Sequence, residues 1–503
     1  MSPPKPPSAR LRPVVLTRAA VVVLVVLVIA GLVVVPMLFL LRGALAGGGE
    51  SVAGALGNRE VREALWHTVS LAIVATVAAV AGGTALAMAF DRSMVRRPAG
   101  WRIALVLPLL VPQFALTLSW AQAYGPGGLS DQLLGLPLPG LYGPTGVALL
   151  LTADAVPLVW LVVAAGLAVR REPDLVRAAR ASGAGPWRTF ATIDLPLLRG
   201  PLLAAGAVVF VGVVNAFAVP QVLGSTQGYQ TLATLAYQQL SLSAAPDAFA
   251  RLCSIALLMV ALVLVAIGGA DRGLGRVGPG FARSGPGGAR FTHRASTGTR
   301  LVTAGLVAYL ALTTALPLVA LMATSLTRAP GLPPVPANWT VQNYTAGLGP
   351  TALASLGRTA TLAAGAAVVV TILAAVVVGL GGSSRRRLGT ALTLGYAMPG
   401  TALAIGVLVA YGPWLGGSAA IILLAYLGKC AALGYRALAA GADRVAPELG
   451  QAARVSGADP ATVYRTITAP VMSTGYLAAA GLVVLFAVHE LTMSSILYGA
   501  DTQ

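Results

Sequence analysis

Several polar side chains lie inside or at the end of long apolar stretches, where a charge or an unpaired polar group is costly. They are Asp154, Asn215, Lys429, His489 and Glu490. Such residues usually face the interior of a helix bundle or a water-filled cavity. We therefore predict that they line a pathway for a polar solute. The alternative is that they make structural contacts between helices.

A second group of residues forms a pattern that occurs twice, at an offset of 274 residues. Each copy has two adjacent alanines, then a glycine, an isoleucine and a final proline at the same spacing. The first copy contains Arg177, Ala178, Ala179, Gly183, Pro186, Phe190, Ile193 and Pro196, and the second contains Gln451, Ala452, Ala453, Gly457, Pro460, Tyr464, Ile467 and Pro470. Two copies in one register indicate an internal duplication.

The spacing within each copy predicts a helix, a sharp turn at the glycine and a second short helix. Asp174 and Glu448 stand near the expected start of the first helix, where the helix dipole favours negative charge. Pro186 and Pro460 suit the first turn of the second helix, which we expect to end before the last proline of the pattern. Since alanines allow close approach of another surface, we predict a helix–turn–helix that docks onto a partner.

The composition of the chain indicates which structural elements hold these residues in place. The chain is 57% hydrophobic and 10% charged, with a mean hydropathy of +0.81. Its apolar stretches are long enough to cross a membrane as helices and too long for barrel strands, so we predict an all-α polytopic membrane protein. The net charge of +18 is distributed over short loops, which argues against nucleic-acid binding.

We predict eleven transmembrane spans. They cover residues 14–41, 64–90, 101–123, 146–169, 200–222, 250–269, 301–325, 357–381, 388–411, 417–440 and 474–498. Arginines cluster in alternate loops, whereas loops 124–145 and 223–249 contain no Lys or Arg. By the positive-inside rule, the N-terminus and both copies of the pattern face the cytoplasm of a plasma (inner) membrane protein.

The spans fall into two predicted halves. Residues 271–300, rich in Gly, Arg and Ser, predict a cytoplasmic linker between a six-span half, 1–270, and a five-span half, 301–503. Because the repeat implies twelve spans, we expect the last helix of a complete parent to be missing from the second half. In the repeat register Asp154 and Lys429 are one residue from equivalence, so we expect them to face each other across the pathway.

The duplicated pattern resembles the cytoplasmic signature loop, Glu-Ala-Ala-x-x-x-Gly, of the binding-protein-dependent ABC importer permeases of type I fold. The order of spans and the duplication extend this resemblance over the chain. It implies that the short second helix seats in a groove of an ATPase subunit, with two such subunits on the cytoplasmic face and a substrate-binding protein outside. The chain departs from the signature at Arg177 and Gln451, where the family has Glu, and at Ala469, where it has Leu.

No phosphate-binding Gly-x-x-x-x-Gly-Lys-Ser/Thr loop occurs in the sequence, so we expect the partner to hydrolyse ATP and this chain to be no enzyme. We expect it to bind no cofactor and no resident metal. The chain most resembles the ferric-iron permeases in three features, which are its two fused halves, the segment Pro108-Leu-Leu-Val-Pro112 and the loop Tyr124-Gly-Pro-Gly-Gly128. It also resembles the thiamine, polyamine and phosphonate permeases. An ion-coupled secondary transporter and a non-transporting membrane scaffold are the alternatives.

Overall fold

The computed structural model describes residues 11–46, 52–92, 98–170, 173–242, 248–276 and 297–499. Eight of the described helices are long and apolar enough to cross a membrane: Ala19–Leu45, Arg59–Phe90, Pro144–Ala168, Trp187–Val214, Ala248–Gly273, Arg300–Ser325, Pro350–Leu380 and Ala419–Ala442. Three bent pairs also qualify: Gly100–Leu110 with Gln113–Leu134, Gly382–Ala397 with Gly400–Leu415, and Tyr464–Val471 with Ser473–His489. Counting each pair once gives up to eleven spans in the predicted order, which confirms an all-α polytopic membrane protein.

Shorter helices lie between or beside these spans: Val52–Gly57, Pro173–Ala181, Leu232–Leu242, Gln342–Gly347, Pro447–Val455, Pro460–Val463 and Thr492–Leu497. Several predicted span boundaries were wrong; among them, two helices end before the predicted position. The fifth span ends at Val214 rather than at 222, and the eleventh ends at His489 rather than at 498. Most of the predicted linker, residues 277–296, and the last four residues of the chain lie outside the described residues.

The third and ninth spans are broken, although the apolar pattern predicted straight helices. They bend by 97° and 99°. Each break lies at the residue before a proline: Val111 has ψ 126° before Pro112, and Met398 has ψ 137° before Pro399. The proline ring disfavours the helical conformation of the preceding residue, so that residue becomes extended and the helix restarts in a new direction.

Four other prolines are accommodated by a wider helical turn. Pro36, Pro196, Pro317 and Pro470 each lie two residues after a five-residue π-helical turn. Proline has no N–H, and its ring crowds the carbonyl of the preceding turn, which a wider turn relieves. The prediction that the second helix of the pattern ends before Pro196 and Pro470 is therefore wrong. This helix continues into the fifth span in the first copy and to Val471 in the second.

The described helices form two compact units. The first-repeat unit comprises Ala55–Ser241 and Leu258–Gly349, and the second-repeat unit comprises Met1–Gly54, Leu242–Leu257 and Pro350–Gln503. These units differ from the predicted sequence halves, because the first span belongs with spans eight to eleven and the seventh belongs with spans two to five. The predicted division of the sequence into two fused halves stays a prediction.

Hydrogen bonds join the first span to the second-repeat unit and the seventh span to the first-repeat unit. In the second-repeat unit, the hydroxyl of Tyr411 donates to the carbonyl of Gly31 in the first span at 2.7 Å. In the first-repeat unit, the indole N–H of Trp120 donates to the carbonyl of Thr313 in the seventh span at 3.0 Å. Both carbonyls lie beside or within a π-helical turn, where the regular helical bonding pattern is interrupted.

Close packing of the second and fourth spans depends on a glycine. A Cβ atom on Gly83 would lie 2.5 Å from Cβ of Val159 and 2.9 Å from the backbone nitrogen of Trp160. Small residues of this kind let membrane helices approach closely. A Cβ on Gly212, in the fifth span, would meet nothing within 4 Å.

We expect Gly83→Ala to lower the unfolding temperature of the purified chain in detergent. Overpacking against Val159 and Trp160 costs about 1–3 kcal/mol, more than the roughly 1 kcal/mol that alanine gains over glycine in a helix. Gly212→Ala is the matched control and should leave that temperature unchanged or slightly raised. An equal fall in both variants would contradict the packing argument.

Candidate functional site

Both copies of the duplicated pattern fold as the predicted helix–turn–helix. We call them loop 1, residues 173–196, and loop 2, residues 447–470. The first helices, Pro173–Ala181 and Pro447–Val455, lead to a glycine turn with φ +80° at Gly183 and +84° at Gly457. Only glycine adopts this left-handed conformation without strain, so each glycine permits the sharp turn.

The same backbone hydrogen bonds close the turn in both loops. In loop 1, the N–H of Gly183 donates to the carbonyl of Arg180 at 3.0 Å, and the N–H of Ala184 donates to that of Ala179 at 2.9 Å. The residues 274 positions later make the same two bonds in loop 2, each at 3.0 Å. This pair of bonds is the Schellman motif, which satisfies the last carbonyls of a helix. The backbone geometry thus repeats at the offset found in the sequence.

Apolar side chains on both loops are exposed. Leu175 and Leu449, at equivalent positions, are 45% and 47% exposed, and Trp187 and Val455 are 77% and 90% exposed. Exposed apolar clusters rimmed by polar residues mark interaction surfaces. The docking role of the loops stays a prediction.

The other residues of the pattern divide between exposed and packed positions. Exposed are Arg177, Ala178, Gln451, Ala452, Tyr464 and Pro470, and partly buried are Ala179, Phe190, Ile193, Pro196, Ala453 and Ile467. Pro186 and Pro460 each begin the second helix, as predicted, but their side chains lie outside the described part of the structure. The pattern therefore presents one face outward and packs the other.

Asp154 of the fourth span lies at the break of the third span. The amide of Gln113 donates to Oδ2 of Asp154 at 3.1 Å, and Gln113 is the first helical residue after Pro112. A negative charge beside a helix N-terminus interacts favourably with the helix dipole and its unpaired N–H groups. Asp154 therefore contacts the side chain that begins the segment after the break.

Lys429 of the tenth span lies at the break of the ninth span. Its ammonium donates to the carbonyl of Tyr396 at 2.9 Å and to that of Met398, where the helix Gly382–Ala397 ends. A positive charge is favoured there because the last carbonyls of a helix have no helical partners. Asp154 and Lys429 thus occupy nearly equivalent positions in the repeats but contact opposite sides of a break.

Glu490 lies on the other side of the break in the ninth span. Its Oε1 accepts a hydrogen bond from the N–H of Met493 at 2.9 Å, and it would lie 3.8 Å from a Cβ on Gly400, where the helix restarts. Lys429 contacts the end of the helix before the break. The two charges therefore flank the break, each near the helix end that suits its sign.

Asn215 and His489 lie at the ends of the fifth and eleventh spans. The amide of Asn215 donates to the carbonyl of Val211, one turn earlier, at 2.7 Å, and His489 is the partly buried last residue of its helix. The contacts of Asp154, Lys429 and Glu490 lie within single units and are structural. A pathway role for these five residues, and the position of Asp154 opposite Lys429, stay predictions.

Sequence reasoning missed the helix breaks as the partners of Asp154 and Lys429. The signal was a proline inside each apolar stretch, Pro112 and Pro399, followed by an ionisable residue in the next span. It also missed the ion pair between Arg385 and Asp443, 2.8 Å apart, which joins the start of the ninth span to the end of the tenth. That pair joins residues far apart in sequence, and neither has a distinctive sequence context.

We expect Lys429→Met to destabilise the chain strongly. It leaves the carbonyls of Tyr396 and Met398 without their donor and the buried Glu490 without a nearby cation, and each buried polar group left unsatisfied costs about 1–3 kcal/mol. Arg436→Gln, an exposed cation on the same helix, is the control and should change little. Adding Glu490→Gln to Lys429→Met should restore part of the stability, since no uncompensated charge then remains. The measurement is thermal unfolding in detergent, and equal effects of Lys429→Met and Arg436→Gln would refute the assignment.

Comparison with known families agrees with this geometry. Residues 101–272 match the family described as binding-protein-dependent transport system inner membrane component. The matched region contains the broken third span, Asp154 and loop 1. No curated protein matches the chain. Over residues 101–272, the chain is therefore similar to the binding-protein-dependent ABC transport permeases of type I fold.

Proposed function

We propose that this chain carries both permease halves of an ATP-driven importer and forms the whole translocation pathway for a small solute. The observation that carries this proposal is loop 2. It lies outside the residues that match the family, yet it has the same left-handed glycine, the same pair of hydrogen bonds and the same exposed leucine as loop 1. A second permease half is the simplest source of a second loop of this geometry.

Loops 1 and 2 are the proposed docking points for two copies of an ATPase subunit on the cytoplasmic face. Their exposed apolar side chains favour burial against a partner, and the Schellman turn fixes the angle between the two helices of each loop. ATP would be hydrolysed by that partner. A substrate-binding protein would deliver the solute on the outer face, and the N-terminus would be cytoplasmic in a plasma membrane protein.

The helical path from loop 1 into the membrane supports mechanical coupling. The second helix of loop 1, Pro186–Thr189, continues through the π-helical turn Phe190–Asp194 into the fifth span without a break. A displacement of loop 1 by a closing ATPase pair would therefore move the fifth span as a body. In this proposal, such movements alternate the access of the pathway between the two faces.

Ferric iron is the first candidate substrate, with thiamine, polyamine and phosphonate as close alternatives. This choice rests on the sequence resemblance of the fused halves and of the glycine-rich loop that follows Tyr124. Among the described residues, no three His, Cys, Asp or Glu side chains come together. Iron would be the cargo of this chain rather than a resident metal.

We expect Gly183→Ala combined with Gly457→Ala to reduce the amount of ATPase that copurifies with the chain, and with it ATP-dependent uptake into proteoliposomes. A side chain held at a φ near +80° costs about 1–3 kcal/mol at each turn, so the docking helices would be displaced. The control is Gly185→Ala with Gly450→Ala, in the same loops, because neither glycine has a positive φ or a close neighbour. The control pair should leave copurification and uptake near wild type.

Unaffected uptake in the Gly183 and Gly457 variant would overturn the docking proposal. Uptake that needs an ion gradient and no ATP would favour the alternative class, an ion-coupled secondary transporter. Absence of any uptake by the wild-type chain together with its ATPase and binding protein would favour a membrane scaffold.

The substrate proposal has a separate test. Cells that express the chain together with its proposed ATPase and substrate-binding partners should accumulate radioactive ferric iron. They should not accumulate thiamine, spermidine or a phosphonate above the level of cells that lack the chain. Accumulation of one of the other solutes instead of iron would reassign the substrate while leaving the docking proposal intact.

A further inference from the structure

A cavity of about 340 Å³ lies in the second-repeat unit behind loop 2. Its walls come from the ends of the eighth and tenth spans, the start of the ninth span and the inner face of loop 2. The polar side chains that line it are Arg385, Arg454, Tyr464, Thr468 and Tyr476. Nothing in the docking role of loop 2 requires this combination of two arginines and three hydroxyl groups.

The two arginines differ in how far their hydrogen-bonding capacity is used. Arg385 pairs with Asp443 at 2.8 Å and donates to the carbonyl of Ala439 at 3.2 Å. Among the described residues, Arg454 donates from Nε alone, to the carbonyl of Gly450 at 3.0 Å, and forms no ion pair. Since a guanidinium has five N–H donors, the terminal nitrogens of Arg454 remain available for an anion.

The tyrosines add a neutral donor to the same cavity. The hydroxyls of Tyr464 and Tyr476 lie 2.5 Å apart and share one hydrogen bond. Two hydroxyl groups carry two hydrogens, and a bond between them uses only one, so the pair can donate the second to a ligand. An oxyanion in the cavity would therefore meet the guanidinium of Arg454 and a hydroxyl donor.

The remaining lining is apolar and comes from the ends of the membrane-spanning helices, the residues that follow them and loop 2. It includes Ala375 and Val378 near the end of the eighth span, Val445 after the tenth, and Met472. The eighth span ends at Leu380 and the tenth at Ala442, so the cavity lies where the helices leave the predicted hydrocarbon region. An amphipathic ligand fits such a site, with its anionic group at Arg454 and its apolar part along the helix ends. Basic pockets between membrane helices on the cytoplasmic side bind anionic lipid headgroups.

The first repeat does not have the same lining at the equivalent positions. Phe190 and Leu202 stand where the second repeat has its two tyrosines, and Asp194, which is 4% exposed, stands in place of Thr468. This replacement removes the hydroxyl pair and introduces a carboxylate that would repel an anion. The feature is therefore specific to loop 2 and is not a general consequence of the repeated fold.

We propose that this cavity binds the phosphate group of an anionic phospholipid and thereby holds loop 2 against the ends of the eighth and tenth spans. The guanidinium of Arg454 would pair with the phosphate oxygens, the Tyr464–Tyr476 pair would donate a further hydrogen bond, and the acyl chains would follow the apolar wall. This inference does not depend on which solute the chain transports.

The test measures lipid binding to the purified full-length chain in detergent by native mass spectrometry, with phosphatidylglycerol as the probe. Arg454→Gln should raise the apparent Kd for phosphatidylglycerol about tenfold, the scale expected for losing one charge-assisted contact. Arg180→Gln makes the same change at the equivalent position of loop 1 and should leave the Kd unchanged. Tyr464→Phe with Tyr476→Phe should weaken binding while keeping the charge.

Further arms identify the source of the phosphate. Phosphatidylcholine of the same chain length should bind at least tenfold more weakly, and inorganic phosphate should not displace phosphatidylglycerol at equal concentration. An unchanged Kd for Arg454→Gln, an equal rise for Arg180→Gln, or displacement by inorganic phosphate would each overturn the proposal. If Arg454→Gln does not yield a monodisperse protein, Arg454→Lys replaces it. This variant keeps the charge but not the planar fork, and a Kd equal to wild type would contradict pairing with two oxygens.

Discussion

The unpaired backbone groups at the two helix breaks are the constraint on which the placement of the intramembrane charges depends. Within an apolar bundle, N–H and C=O groups freed by a break must find partners in the protein. Pro112 and Pro399 favour such breaks, because proline has no N–H and its ring disfavours the helical conformation of the residue before it. Lys429, from the tenth span, donates to a carbonyl at the end of one broken helix, and Asp154, from the fourth span, bonds the side chain of the first residue after the other break. The costly charges are thus balanced by the dipoles of the helices that they contact.

The two repeats meet this constraint in different ways. Asp154 contacts the segment after the break in the third span, whereas Lys429 contacts the segment before the break in the ninth. The second repeat adds Glu490, whose equivalent in the first repeat is the apolar Ala216. The break in the ninth span is therefore flanked by a charge on the tenth span and by a charge just after the eleventh. The third span has a single such contact, so the same backbone problem yields an asymmetric pair of charge environments.

Much of this could be predicted from the sequence because it depends on local chemistry. The glycine and proline spacing of loops 1 and 2 specified their helix starts and turns, and hydropathy gave the order of the spans. The breaks were missed because an apolar window averages over Pro112 and Pro399. The continuation past Pro196 was missed because a π-helical turn has no sequence signature of its own. The exchange of the first and seventh spans depends on contacts such as Tyr411 with Gly31, which join residues hundreds of positions apart and leave no periodic pattern.

The connection from each loop into the membrane also differs between the repeats, and this bears on how the proposed coupling operates. Loop 1 continues into one unbroken helix, the fifth span, so its displacement moves that span directly. Loop 2 is followed by a 55° bend at Met472, which allows it to change its angle to the eleventh span. A bend of this kind transmits force well only if the loop is supported from behind. The basic cavity lies at that place, with Arg454, Tyr464 and Met472 in its lining. A ligand in the cavity would therefore make loop 2 more rigid at its bend. The first repeat needs no such ligand, because its helix is continuous.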